Sequence, residues 1–419
     1  MDALKKQMSK MRREFHQIAE PGWLEFQTTV KLIDYLKSYG YEVEYGKFIH
    51  SERMGLPTEK EMKEYRDSLS LNVDYDISEI LQGYTGVVAT LDTGKEGPTI
   101  GMRFDIDANG IEESYDEDHR PNKEGFRSKN NFAMHACGHD GHMTIGLTVA
   151  QWLMKEKDNL KGKFLLIFQP AEEGVRGAKS MVDAGVVDEV DYLLAGHIGL
   201  GVESGTLGLG TVGFLATSKL DIYFEGVPSH AGAAPELGKN ALLAAASCAL
   251  NLHTLTQFAA GMSRLNVGIL QAGSSRNIVP SKAMMQIETR GENEKVNEML
   301  KEKVKYVIEG SAKAFDVDYK ILEAGGAPAY NTYNKEFVDK VSNHLKSEDF
   351  KIDVARSLGG SEDVTFMMNR VEEKGGKALH FMFGSDLTAA HHNNKFDFDE
   401  DTLVMAFKAL TKTVELLMK

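Results

Sequence analysis

The sequence predicts an α/β protein of two domains: a largely parallel sheet domain with a smaller domain inserted into it. Three observations carry this. The chain has 419 residues, more than the roughly 250–300 at which a single core stops growing. Apolar strand patterns alternate with helical ones through the first half, and crossovers of that length join parallel strands. The order then changes to βαββαβ, the split ferredoxin-like arrangement. Gly-rich joints, GTLGLGTVG and EAGGAPAYN, bracket this unit, and α/β material resumes after it. The first domain is therefore predicted as discontinuous, 1–213 with 325–419, and the inserted one as 214–324.

The elements follow in order. Residues 3–19 and 25–39 carry apolar positions at helical spacing, and Gly40 stands where a helix would stop. Residues 46–82 are charged and irregular and read as an insertion with a short helix. GVVATLD and PTIGMRF are short β-rich runs between Gly and Pro, and 111–131 is a second polar excursion. MTIGLTVAQWLMK then reads as a helix, with KFLLIFQ and VDYLLAGHI as strands. The inserted unit reads as LDIYFEG (strand), NALLAAASCALNLHTL (helix), RLNVGILQ and AMMQIETRG (strands), EKVNEMLKEKVKYVIEGSAKAF (helix) and VDYKILE (strand). Gly208-Leu-Gly-Thr-Val-Gly213 matches the dinucleotide fingerprint, but that motif must open a helix and here a strand follows.

Composition excludes several classes. Hydrophobic residues at 42% and charged ones at 26% describe an ordinary globular chain. The 48 Lys and Arg stand against 62 Asp and Glu, a net charge of −14. That argues against a nucleic-acid or anionic-membrane binder, which needs a basic footprint. Two cysteines, Cys137 and Cys248, make no disulfide framework. The N-terminus lacks the apolar stretch of a signal peptide, and no run of about 18 apolar residues could span a membrane. A cytoplasmic location is expected.

The chemistry concentrates at strand ends. Of thirteen histidines, His135, His139 and His142 fall in MHACGHDGH with Cys137 and Asp140. Thiolate and imidazole two residues apart suit a divalent metal, although this stretch alone is equally a surface His cluster beside a buried Cys. Asp105 and Asp107 follow PTIGMRF, Glu172 and Glu173 follow KFLLIFQP, and His197 follows VDYLLAG. Each group sits at the carboxyl end of an apolar strand, the edge where open α/β sheets bind ligands. One such residue is a polar loop position; three strands and the HACGHD loop together make a site. In the Glu172-Glu173 pair one carboxylate can ligate metal while the other takes a proton from water, or both can simply favour a helix N-terminus.

MHACGHDGH, IFQPAEEG with GAKSMVDAG, AGHIG, PSHAGAAP, RNIVP, GGSED and HHNNKFDFDE resemble, in order and across nearly the whole chain, the M20 metallopeptidase/amidohydrolase family in its aminoacylase-like branch. Within it, GKFIHSERMGLP, DEDHRPNKEGF, NVGILQAGSSRNIVP and the ending HHNNKFDFDE look most similar to the group that cleaves p-aminobenzoyl-glutamate. The resemblance implies a di-metal catalytic domain and an inserted lid and dimerisation domain. It implies a two-metal site, manganese or zinc, with Cys137 bridging and with His139, Glu173, His197 and His392 as further ligands, His391 being the alternative to His392. It also implies Glu172 as general base, Asp107 orienting a ligand, and His230 steadying the tetrahedral intermediate from the other subunit of a dimer. Asn277 and Arg290 fall where the family holds a substrate carboxylate. By their local sequence alone, His230 could cap a turn, Asn277 could be a turn residue and Arg290 a surface charge. Other branches carry a histidine where this chain reads Arg103-Phe-Asp105-Ile-Asp107, which leaves the role of Asp105 open.

The expected reaction is hydrolysis of an N-acyl amino acid, p-aminobenzoyl-glutamate first, to the acid and the free amino acid. The alternatives are another N-acyl or auxin-type conjugate, a dipeptide, or a chain that works only beside a homologous partner chain. A homodimer or such a pair is the expected assembly.

Overall fold

The computed structural model describes residues 2–418. The chain divides into two compact units: residues up to Val212 with 331–358 and the stretch from Asp363 onward, and residues 213–330 with 359–362.

In the larger unit eight strands form one mixed sheet: β1 (Glu42–Tyr45), β2 (Val87–Asp92), β3 (Thr99–Asp105), β4 (Lys163–Gln169), β5 (Tyr192–Ile198), β6 (Thr206–Leu209), β11 (Lys351–Val354) and β12 (Lys377–Phe383). The order is β1-β2-β4-β3-β5-β12-β6-β11. Its middle, β4-β3-β5-β12, is parallel throughout, as expected for buried apolar runs joined by crossovers. β2 pairs antiparallel with β4, and β6 with β12. One reading needs correction: GTLGLGTVG is not only a joint. Thr206–Leu209 are β6, because Leu207 and Leu209 bury completely and pair with β11 and β12.

The helices follow the apolar periodicity. Helix α1 spans Asp2–His16 and α2 spans Phe26–Tyr39. The latter stops as expected at Gly40, whose N–H meets the Leu36 and Lys37 carbonyls. The charged insertion holds the short α3 (Glu59–Ser68), begun by a capping box between Thr58 and Glu61. The excursion at 111–131 is irregular but for one turn, α4 (Arg120–Lys123). Helix α5 (His139–Glu156) is buried at every residue from His139 to Ala150, so it runs through the core rather than along its surface. Helix α6 covers Ala178–Asp183.

The smaller unit contains β7 (Ala216–Glu225), α7 (Ala241–Leu252), β8 (Ser263–Ala272), β9 (Lys282–Gly291), α8 (Glu294–Ala314) and β10 (Asp318–Ala327). Its antiparallel sheet runs β10-β7-β9-β8. Leu220, Ile222 and Phe224 alternate inward from β7 to meet Ala244 and Cys248 of α7 and Leu300, Val304 and Ile308 of α8. Asn240 and Asn293 cap the two helices through the Leu243 and Val296 N–H groups, each cap contributing about 1 kcal/mol. The larger unit closes with α9 (Lys335–Leu345), α10 (Val364–Glu373) and α11 (Asp401–Leu417). Among the described residues no helix is long and apolar enough to cross a membrane.

A buried histidine ties the insertion to the larger unit. His50 Nε2 donates to the Thr85 carbonyl at 2.7 Å, and Nδ1 lies 3.1 Å from Ser180 Oγ. Burial, with Arg53 nearby, lowers its pKa from 6.5 to about 4. Below about pH 6.5 the unfolded chain therefore takes up a proton that the folded chain refuses. This residue's contribution is fully present above that pH and falls away on acidification toward pH 4, by up to about 3 kcal/mol. Denaturant unfolding between pH 7 and 4 checks this: His50→Gln is expected to flatten the slope, and an unchanged slope would refute the assignment.

Candidate metal centre

Strands β4, β3 and β5 are neighbours, so their carboxyl ends open onto one edge of the sheet. Asp105 ends β3, with Asp107 just beyond it; Glu172 and Glu173 follow β4, and His197 is the penultimate residue of β5. The metal-type loop arrives at the same edge because Gly138, at φ +90°, turns the chain from Cys137 into the first turn of α5. Sheet order thus gathers residues far apart in sequence.

The geometry ties these groups into one cluster. Cys137 Sγ lies 3.3 Å from His197 Nε2, and Glu173 Oε1 lies 3.3 Å from His392 Nε2. Three overlapping sets each bring one ligand atom per residue within 4.8 Å of the others: Cys137, His139 and His197; Cys137, Glu173 and His392; His139, Glu172 and Glu173. A fourth, Asp105 with His139 and His142, is of another kind. His142 Nδ1 is hydrogen-bonded to the Asp105 carboxylate and its Nε2 accepts the Ile198 N–H at 2.9 Å, so both ring nitrogens are engaged. Of the C-terminal pair, His392 faces Glu173, whereas His391 Nε2 lies 3.1 Å from the Ile198 carbonyl oxygen.

Asp107 organises the cluster. Its carboxylate accepts the N–H groups of Glu172 (3.1 Å) and Glu173 (2.9 Å), and its carbonyl accepts His139 Nδ1–H at 2.8 Å. That bond fixes the tautomer and leaves His139 Nε2 to face the other donors. The glutamate loop is held against its backbone preferences, with Ala171 at φ +50° and Val175 at φ +56°. Such conformations persist where surrounding bonds over-determine them. One of those bonds comes from Glu25, fully buried, which accepts the Ala171 N–H at 2.8 Å and the Thr85 hydroxyl at 2.7 Å. Burial and the neighbouring Asp107 push its carboxyl up to about 8. Sequence reasoning missed Glu25; the available signal was a lone acid inside the apolar run Trp23-Leu-Glu-Phe26.

The role left open for Asp105 is supporting. It bonds Arg103 Nη1 at 2.6 Å, and Arg103 also reaches Gln169 at 2.8 Å and Asp363 at 3.1 Å. Asp363 in turn accepts the N–H groups of Gly177 and Ala178, which anchors the far end of the glutamate loop.

Electrostatics test the fit of a metal. Burial, followed by the charges of Glu173 and Glu172, pushes the Cys137 thiol well above its usual range. Burial opposes charge on His139, but Asp105 above all holds its pKa well up. Burial also opposes ionisation of Glu173, yet His392 and His139 bring it down to about 2. His139 Nε2 is buried without a hydrogen-bond partner. A thiol, carboxylates and imidazoles packed around that nitrogen are a donor set that a divalent cation satisfies, drawing the thiol to thiolate and the imidazole to neutral. The residues fit divalent metal.

The three remaining candidates belong to the smaller unit. His230 is exposed; its Nδ1 accepts the N–H groups of Gly232 and Ala233 at 3.1 and 3.0 Å. It does cap its turn, and the ring proton is thereby placed on Nε2, a hydrogen-bond donor. The Asn277 amide oxygen accepts from Ser275 Oγ at 2.8 Å. Arg290 is already paired, Nε and Nη2 to the two oxygens of Glu288 at 2.7 and 3.2 Å.

The sequence profile of peptidase family M20/M25/M40 matches residues 101–416, spanning every element of this cluster. The chain belongs to that family. Among its relatives, one of the subunits of the p-aminobenzoyl-glutamate hydrolase of Escherichia coli (strain K12) is 43% identical, covering 99% of this chain and 96% of its own. The indole-3-acetyl-aspartic acid hydrolase of Enterobacter agglomerans is 44% identical, covering 97% and 95%. In structure, the aminobenzoyl-glutamate utilization protein from Klebsiella pneumoniae matches with a TM-score of 0.84 at 39% identity, over 99% of this chain and 96% of that one. This M20 chain is therefore a hydrolase of amide bonds, and the strand-edge cluster brings together residues that could hold a metal ion.

Proposed function

We propose that the chain hydrolyses the amide joining an aromatic acyl group to an acidic amino acid, with p-aminobenzoyl-glutamate as its substrate and p-aminobenzoate and glutamate as products. The convergence of Cys137, His139, Glu173, His197 and His392 around Glu172 is the observation that supports this, read with near-full-length similarity to a hydrolase of that substrate. Equal similarity to an indole-3-acetyl-aspartate hydrolase favours a second reading in which only the acyl and amino-acid parts change.

Two divalent ions held by those five ligands, zinc or manganese by donor type, would polarise the amide carbonyl and acidify a water. The protein supplies the rest. Glu172, carried on the loop fixed by Asp107, takes the proton of the attacking water and passes it to the leaving amine nitrogen. His230 donates from Nε2 to the oxyanion, reaching it from a second protomer. We read the smaller unit as a ferredoxin-like lid that also forms the dimer, its partner a second copy or a homologous chain. Asn277 and Arg290 receive the α-carboxylate, for which Arg290 must exchange Glu288.

The test is release of p-aminobenzoate by the purified single chain, supplied with manganese or zinc, with indole-3-acetyl-aspartate run in parallel. Turnover lost on chelation and restored by either ion is the expected result. Cleavage of the indole conjugate alone would favour the second reading; cleavage of neither without an added sister chain would overturn the single-chain reading.

A further inference from the structure

We propose that Arg176 selects the substrate by binding the side-chain carboxylate of its amino-acid half; this rests on the reading that this half is acidic. Arg176 lies on the same loop as Glu172 and Glu173. Its Nε donates to the Glu173 carbonyl at 2.9 Å and its Nη1 to the Gly55 carbonyl at 2.7 Å. Two carbonyls thus fix a half-buried guanidinium beside the reacting centre while leaving its charge uncompensated. Arg12, Arg103, Arg120, Arg290 and Arg370 all have a carboxylate within ion-pair distance. Arg176 has none among the described residues.

Its remaining nitrogen, Nη2, has no hydrogen-bond partner among the described residues and packs where a side chain at position 22 would sit. A Cβ on Gly22 would come within 2.4 Å of Nη2 and 2.9 Å of Ala171 Cα, so only glycine leaves the guanidinium this position. The segment that supplies the Gly55 carbonyl brings a second cation. The Arg53 guanidinium lies 3.4 Å over the Tyr84 ring and 5.6 Å from that of Trp23, and its Nη1 donates to the Gln82 carbonyl at 3.1 Å. It too has no carboxylate partner among the described residues. In a chain of net charge −14, Arg176 thus brings a positive charge without an acidic partner to the loop of the glutamate pair, and Arg53 is a second such cation on the segment that braces it.

The chemistry names the anion. An acidic amino acid brings two carboxylates, each within a few bonds of the scissile nitrogen. One of them needs a guanidinium other than Arg290, which can serve only one. A guanidinium held in place by two carbonyls, with N–H groups still unbonded and no acidic partner, suits a carboxylate.

The experiment compares p-aminobenzoyl-glutamate with p-aminobenzoyl-glutamine, equal in shape and differing in that one charge. The wild type is expected to prefer the glutamate conjugate. Arg176→Gln should reduce the ratio of the two kcat/KM values by about 10²-fold, mainly through KM, and Arg176→Lys by less. Equal losses on both substrates, with a lowered Tm, would reduce Arg176 to a loop brace and overturn the inference. A wild type that prefers glutamate and a variant that keeps the preference would overturn it alone. A wild type without the preference would overturn the substrate reading as well. Should Arg176→Gln not fold, the Arg176→Lys ratio decides, together with inhibition of that variant and wild type by free glutamate against glutamine.

Discussion

Replacing Glu172 by glutamine is expected to lower kcat by about 10²–10⁴-fold while metal content stays that of the wild type. The geometry sets these two readouts apart. The Glu172 backbone is held by Asp107 at 3.1 Å, a bond to N–H that the substitution does not touch, so the loop keeps its conformation. Glutamine matches glutamate in size but cannot accept a proton at neutral pH. Glu173 differs from its neighbour in facing His392, the arrangement of a ligand. Glu173→Gln is accordingly expected to lose metal first and activity as a consequence. Metal analysis and single-turnover kinetics on both variants check the division of labour. Loss of metal from the Glu172 variant would make Glu172 a ligand and remove the general base from the proposal.

Much of this centre was legible in the sequence because strand ends are legible. Asp107, Glu172 and His197 each follow or close an apolar run, and a parallel sheet carries such positions to a common edge whatever the intervening loops do. Local rules likewise make the helix stop at Gly40 legible, through its left-handed cap, and the alternation of β7, through the two-residue period of a strand. What the sequence did not disclose depends on pairings across long separations. β6 reads as a Gly-rich joint because its four residues gain their strand character only from β12 and β11, more than a hundred residues away. Glu25 goes unread because its bond to Ala171 crosses 146 positions. Arg176 has no local pattern at all: its significance lies in the partners it lacks. The engagement of Arg290 by Glu288 was open to inspection, since the two share one face of β9, but position alone does not say whether such a pair closes.

The largest effect on stability is expected away from the reacting atoms, at Arg12. This side chain is fully buried on α1. It meets Asp140 at 2.6 Å, Asp397 at 2.9 Å and Glu400 at 3.6 Å, and its guanidinium lies 4.4 Å over the Phe398 ring. Around it, His16 joins Asp140 at 2.7 Å to Glu113 at 2.9 Å, Arg13 chelates Glu400, and Arg120 pairs with Asp397. Four acids thus face three arginines and two histidines, His16 and His119, and the pKa of His16 rises to about 9 because its bonds to Asp140 and Glu113 outweigh burial. Arg12→Met keeps the volume and removes the charge, leaving three carboxylates short of a partner. Breaking one side of a buried ion pair costs about 3–5 kcal/mol, and denaturant unfolding of the larger unit should register a loss of that size. The effect should also reach the metal. Asp140 stands beside His139 in the first turn of α5, where its carboxylate caps the Gly141 N–H at 2.9 Å, so freeing it disturbs the turn that presents a ligand. Weaker metal binding by Arg12→Met, with partial recovery in Arg12→Lys, is the expected pattern, since lysine restores the charge without the planar fork. Unchanged stability would mean that the four acids are neutralised by Arg13, Arg120 and His16 alone, and that Arg12 contributes packing rather than charge.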